Sequence, residues 1–132
     1  MKNCFTNIRV RYGETDQMGV VHHGKYAQYF EMGRIDWLDQ FAISYAQMER
    51  EGIIMPVRQM NIKYLHPARF DDLITVETSL REIPDVRIKF DYKIFDQQDK
   101  LLTKATTELV FVNAVTKKPI PCPDYILEKI KK

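Results

Sequence analysis

Apolar residues along positions 26–41 fall at Tyr26, Phe30, Gly33, Trp37 and Phe41, with Tyr29 and Leu38 widening the stripe. Spacings of three and four predict a long amphipathic helix. Its other face carries Lys25, Gln28, Asp36, Asp39 and Gln40, with Met32 and Ile35 blurring the border. Gly33 in mid-helix costs about 1 kcal/mol relative to Ala, so a close neighbour is expected against the backbone there, and a sheet is the natural one.

After Gly52 the period changes to two. Over residues 86–94, Val86, Ile88, Phe90, Tyr92 and Ile94 face one way and Arg87, Lys89, Asp91 and Lys93 the other, the pattern of a half-buried strand. Residues 73–80 repeat it, and residues 101–112 form a longer strand that turns apolar on both faces towards its end. Residues 54–64 supply another, with Pro56 near its start where a missing N–H is tolerated, and residues 5–12 one more before the helix. Turn signals at 69–72, 84–85 and 96–100 leave connections so short that the strands they join must be antiparallel. Residues 124–131 read as a terminal helix after Pro119, Pro121 and Pro123.

These elements predict a single α+β domain over residues 1–132, with one curved antiparallel sheet of about five strands packed on one aromatic-rich helix. The sheet's outer face is left without cover. Homo-oligomerisation is expected to cover it, and the two-faced apolar run at 109–112 fits that expectation.

The chain of 132 residues is long enough for one core. Its 45% hydrophobic and 29% charged residues exclude both a disordered chain and a membrane protein. The longest stretch without Asp, Glu, Lys or Arg, residues 40–48, has nine residues, against about 20 for a membrane-spanning helix. A polar and charged N-terminus leaves no room for a secretory h-region, so a cytoplasmic location is expected. Twenty Lys and Arg against eighteen Asp and Glu leave +2, too near neutral to draw a nucleic acid. Cys4 and Cys122 stand far apart and outside any C-x-x-C pair, which predicts free thiols.

Residues 12–24 concentrate two carboxylates, two histidines, a tyrosine and three glycines in thirteen positions. They lie at a predicted helix N-terminus, where free N–H groups and the dipole favour negative charge, so the segment is able to stabilise an oxyanion. A solvated turn in which Thr15 or Asp16 caps local backbone is equally consistent with the composition. Asp16, His22, His23 and His66 have no spacing that gathers them on a metal, and none is expected. No Gly-rich phosphate loop follows a strand, and no serine sits in a G-x-S-x-G elbow.

Arg11-Tyr12, then Thr15-Asp16-x-x-Gly19-Val20-Val21-x-His23-x-x-Tyr26-x-x-Tyr29-Phe30-Glu31-x-x-Arg34, resembles the signature of the hotdog-fold acyl-CoA thioesterases related to 4-hydroxybenzoyl-CoA thioesterase. Tyr64-x-x-Pro67-Ala68-x-x-Asp71-Asp72 is similar to the second landmark of that family, as is the closing stretch 119–127, so the likeness covers nearly the whole chain. It implies a long helix wrapped by an antiparallel sheet, two subunits sharing one continuous sheet, and a homodimer or homotetramer. The implied substrate is an acyl-CoA, with no cofactor beyond the coenzyme A of the substrate itself. The resemblance also places Asp16 at the catalytic carboxylate, Gly19 at the turn, His23 at the residue whose backbone N–H polarises the thioester carbonyl, and Tyr12 at another active-site position. Val21 and Gly24 fall in the substrate-binding stretch beside Gly19. Where relatives carry basic residues for the coenzyme A phosphates, this chain has Pro84-Asp85, with Arg87 the one cation nearby.

The chemistry implied is economical. A thioester lacks strong amide resonance, and the departing thiolate has a conjugate acid near a cysteine thiol, about 8.5. Asp16 then either attacks the carbonyl to form a mixed anhydride or activates a water. Two other readings of the fold are a dehydratase or hydratase and a non-catalytic acyl-CoA-binding module. Hydratase relatives have an Asp and a His five residues apart, whereas Val21 stands at that position here. Glu31 is expected to pair with Arg34 at i, i+3, and the aromatics Tyr26, Tyr29, Phe30 and Trp37 are open to either core or pocket.

Overall fold

Fourteen residues, Tyr26–Asp39, form the central helix α1, which buries Tyr26, Tyr29, Phe30, Gly33, Arg34, Trp37 and Leu38. The computed structural model describes residues 3–131. Strand β1 (Cys4–Arg9) precedes α1. After it come α2 (Tyr45–Arg50), β2 (Ile53–Ile54), β3 (Val57–Tyr64), β4 (Leu73–Leu80), β5 (Arg87–Phe95), β6 (Leu101–Val110), β7 (Val112–Asn113) and α3 (Asp124–Lys131). Five strands make one antiparallel sheet in the order β1-β4-β5-β6-β3, and β2 pairs with β7.

The α+β expectation holds, and the helix lies on β1 and β4. Ile88, Phe90, Tyr92 and Ile94 of β5 are buried on the helix side. Phe30 stacks against Tyr92 at 4.8 Å and Trp37 meets Phe90 edge-on at 5.3 Å. The approach expected at Gly33 is made by β4. A Cβ at that position would run into the Thr78 hydroxyl and reach Val76 Cγ1 at 3.2 Å.

Several boundaries differ from the periodicity. Helix α1 stops at Asp39 because Ala42 takes a left-handed φ of 58°. Ala42 N–H then donates to Asp39 O and Ile43 N–H to Leu38 O, a Schellman closure that caps the last carbonyls. Helix α2, which the period did not reveal, begins at Ser44, whose hydroxyl accepts from Gln47 N–H at 3.1 Å, and it buries Met48. The stretch 54–64 breaks at Pro56 into β2 and β3, residues 101–112 break at Phe111, and β1 ends at Arg9, short of Tyr12.

Two sequence details pack differently from expectation. The apolar run at 109–112 is satisfied within the chain: Leu109, Val110 and Phe111 are buried, Phe111 O accepts from Ile120 N–H, and Val112 pairs with β2. The outer sheet face carries Glu77, Asp91, Lys93, Lys104 and Glu108, a charged surface. The Glu31–Arg34 pair is also not made. Glu31 is exposed, and the buried Arg34 donates from Nη1 to the Tyr92 hydroxyl at 3.3 Å, which in turn bonds Thr107 Oγ1 at 2.7 Å. Cys4 and Cys122 are free. Burial, with Asp85 and Asp124 nearby, pushes the Cys122 thiol up to about 12, which keeps it an unreactive core group. Among the described residues no helix is long and apolar enough to cross a membrane.

Candidate active site

The loop between β1 and α1 is fastened at three levels. At its start a 3-10 turn, Tyr12–Glu14, is closed by Glu14. The Glu14 carboxylate accepts from Arg11 N–H at 2.9 Å, from the Arg11 guanidinium at 3.3 Å and from the Tyr29 hydroxyl at 2.9 Å. Burial alone would raise its pKa, but the Arg11 N–H, the Tyr29 hydroxyl and the Arg11 guanidinium outweigh that and hold it below the usual carboxylate value. Glu14 therefore ties the loop to the middle of α1.

Next comes a tight hairpin with Asp16 near its tip. Asp16 Oδ1 accepts from Met18 N–H at 2.8 Å and Val20 N–H at 3.4 Å, while Asp16 N–H donates to Val20 O and Gly19 N–H to Asp16 O. Gly19 has φ +78°, a conformation that costs other residues steric energy. The hairpin closes with a bridge between Thr15 and Val21. Its second arm is held on the segment after β3, through Val21 N–H to Ala68 O at 2.8 Å and a bridge from Val20 to Arg69.

The third level is the turn His23–Lys25, which runs directly into α1. His22 Nδ1 accepts from Gly24 N–H at 3.1 Å, and the two imidazoles stack with centroids 4.4 Å apart. Tyr64, at the end of β3, donates from its hydroxyl to His23 O at 3.1 Å and sets its ring edge-on to Tyr26 at 5.3 Å. The His23 N–H opens the turn and has no hydrogen-bond partner among the described residues. It lies at the positive end of a helical stack of peptide dipoles.

Beside this turn is a cavity of about 190 Å³ lined by Val21, His23, Tyr26, Tyr64, Leu65, His66 and Pro67. Tyr26 is buried beneath it, its hydroxyl accepting from Ala68 N–H at 3.3 Å.

Asp16, Gly19, Val21 and His23 share one loop, and of these Val21 and His23 line the cavity. Gly24 is there too, but its N–H is already taken by His22 Nδ1. Tyr12 is not among the residues lining the cavity; it is 77% exposed, its ring edge-on to Phe70 at 5.5 Å. Arg87 is not brought to the cavity within one chain. It lies at the start of β5 opposite Val110, whereas the cavity end of β5 is Ile94, opposite Thr103. Seven residues of strand separate the two, about 23 Å, and Arg87 Nη1 rests 3.8 Å from Glu108. Asp16, His22, His23 and His66 form no metal cluster among the described residues.

Three residues gain weight that the sequence did not give them. Glu14 stands in the motif at hydrogen-bonding spacing from Arg11, three residues on. Tyr64 opens the second landmark and His66 lies within it, and the pairing of β3 with β6 carries them to the foot of α1.

A helix wrapped by a five-stranded antiparallel sheet, with a carboxylate-bearing hairpin leading to a free helix N-terminus, defines a hotdog thioesterase domain. Residues 10–130 match the thioesterase-like superfamily, and the chain belongs to it. The putative acyl-CoA thioesterase YneP of Bacillus subtilis (strain 168) is 34% identical over 113 residues, 86% of this chain and 82% of that protein. Acyl-CoA thioester hydrolase YbgC of Escherichia coli O6:H1 is 30% identical over 94% of this chain and 92% of its own. Among solved structures, the DHNA-CoA thioesterase of Staphylococcus aureus superposes with a TM-score of 0.92 at 36% identity, covering 99% of this chain and 92% of that one.

Proposed function

We propose that Asp16 and the backbone N–H of His23 carry out the hydrolysis of acyl-CoA thioesters in this protein. The chain is an acyl-CoA thioesterase by its family and by relatives 30–34% identical over most of both lengths. The observation that supports the residue assignment is that one loop carries both a carboxylate whose Oδ1 is held by the loop's own amides and, beside a cavity, an N–H without a partner among the described residues.

The thioester carbonyl oxygen accepts from His23 N–H, which stabilises the negative charge that builds there. Asp16 then acts in one of two ways. As a base it takes a proton from a water whose oxygen bonds to the carbonyl carbon; the C–S bond breaks, and the thiolate leaves and is protonated. As a nucleophile it bonds to that carbon itself, expels the thiolate, and the resulting anhydride is opened by water. Neither route calls for a metal or other cofactor. Val21 forms a wall of the acyl site, Gly19 permits its turn, Gly24 lies at its helix end, and Tyr12 stands on the turn that starts the loop.

The protein acts as a homodimer or homotetramer in the cytoplasm. Support for assembly comes from β3, an eight-residue edge strand with one side unpaired. It ends at Tyr64 in the cavity wall, so a second copy paired there continues the groove. Arg87, about 23 Å along β5 from the cavity of its own chain, meets coenzyme A phosphates only from a neighbouring subunit.

Asp16→Asn tests the assignment. With a panel of acyl-CoAs and a thiol reagent, the variant loses nearly all thiol release while acyl-CoA affinity stays within a few-fold. Retention of a third of the wild-type rate refutes the role of Asp16. Loss of enoyl absorbance without free thiol would instead identify a hydratase.

A further inference from the structure

A second cavity lies on the other side of the sheet, away from α1. It is a groove of about 530 Å³ whose lining includes Lys63, Lys93, Lys104, Glu77, Asp91 and Thr106. Register brings its three lysines together. Lys63 of β3 is directly opposite Lys104 of β6, and Lys104 is directly opposite Lys93 of β5. Three ammonium-bearing side chains therefore stand in one row across three neighbouring strands, about 4.8 Å from one to the next at the backbone. Like charges directly opposite each other on a sheet destabilise it, so the row is a cost to the free fold.

The acids in the groove offset the row only in part, Glu77 standing directly opposite Lys93. Asp91 is held by the Arg81 guanidinium, with contacts of 2.6 and 3.3 Å. Glu77 accepts from Asn3 Nδ2 at 3.0 Å, and its in-row neighbour Lys93 makes no ion pair with it. Among the described residues none of the three lysines has an ion-pair or hydrogen-bond partner. All three are exposed. Thr106 adds a hydroxyl donor on the adjacent row and Asn61 an amide, while the Ser79 hydroxyl already donates to Asp91 O at 3.4 Å. The volume lies within the range of small-ligand sites.

We propose that this groove binds a phosphate-bearing polyanion, a diphosphate or phosphate-ester group lying along the row Lys63, Lys104, Lys93. Such a group spreads several negative oxygens over a short span and meets successive ammonium groups, relieving their repulsion as it binds. Monovalent acids lack the charge to bridge the row. The site stands apart from Asp16 and His23 on the opposite face of the sheet, and its existence does not depend on thioester hydrolysis.

Inorganic pyrophosphate is the probe, titrated calorimetrically into the wild type and into Lys104→Gln, Lys93→Gln and, as a charge-matched control away from the groove, Lys118→Gln. Saturable binding to the wild type and the control, weakened tenfold or more by Lys104→Gln and Lys93→Gln, supports the site. No saturable binding, or binding that all variants share equally, overturns it. Removing Lys104 from between two like charges leaves the fold at least as stable, which a thermal melt without anion checks, so lost binding reports the site and not unfolding. Competition then identifies the source within a supported site: coenzyme A displaces pyrophosphate where the ligand is the phosphorylated tail of the thioester substrate, and leaves it bound where the ligand is a free polyanion. Asp16→Asn binds pyrophosphate as the wild type does, so failure of the catalytic assignment and failure of this site are read separately.

Discussion

Substituting proline for His23 removes the backbone N–H together with the imidazole, and the local geometry accepts it; alanine, which removes the imidazole alone, isolates the N–H. His23 opens the turn His23–Lys25, the first helical position, where proline's fixed φ fits and its missing N–H was unpaired already. Proline also demands an extended residue before it, and His22 has φ −60° and ψ 132°. The bonds that hold the turn survive: Tyr64 still donates to the carbonyl at position 23 and Gly24 N–H still donates to His22 Nδ1. Stability is thus expected to stay level or rise by about 0.4–1 kcal/mol through a stiffer unfolded chain. Activity behaves differently. One oxyanion donor is worth about 2.7–4 kcal/mol of barrier, roughly 100- to 1000-fold in kcat. His23→Ala keeps the N–H and loses the imidazole with its stack on His22, and a drop of only a few-fold is expected. Initial rates of thiol release give kcat and KM for both variants, with urea midpoints and circular dichroism confirming that each is folded. A folded proline variant retaining a tenth of wild-type kcat, or an alanine variant falling as far as the proline one, refutes the backbone role of His23.

Two further outcomes concern the frame that holds the site. Gly33→Ala gains about 1 kcal/mol of helix propensity and loses more than that to the collision with the buried Thr78, overpacking of this kind costing about 1–3 kcal/mol. Urea unfolding should show a net loss of up to about 2 kcal/mol, partly restored when Thr78→Ala is added, and a Gly33→Ala variant more stable than wild type contradicts the contact. Glu14 titrates below its unfolded value, so its contribution is complete above about pH 4.3 and disappears as pH falls through the lower, folded pKa. Glu14→Gln is accordingly expected to be less stable than wild type at pH 7 by about 1.5–3 kcal/mol, the scale of hydrogen bonds to a charged group. That gap should close in acid; urea midpoints at pH 7 and pH 3 with an equal gap would show that the charge plays no part.

Local pattern by itself determined α1, the buried face of β5 and the close approach at Gly33, because each is a statement about which side of an element avoids water, and burial repeats with the element's own period. Asp16 and Gly19 were legible for a similar reason, since the carboxylate accepts from amides two and four residues on and the turn needs a positive φ within the same few residues. What lay outside the sequence was anything that depends on which distant strand edges meet. Strand β3 precedes β4 in the chain and yet pairs with β6 on the far edge of the sheet, and that choice brings Tyr64 to the carbonyl of His23, aligns Lys63 with Lys104, and makes the far end of the sheet, with Arg87, remote from the cavity. Period-two alternation is blind to it: every strand with one apolar face satisfies the pattern equally, and the partner is selected only when the helix, the loops and all five strands close on one core.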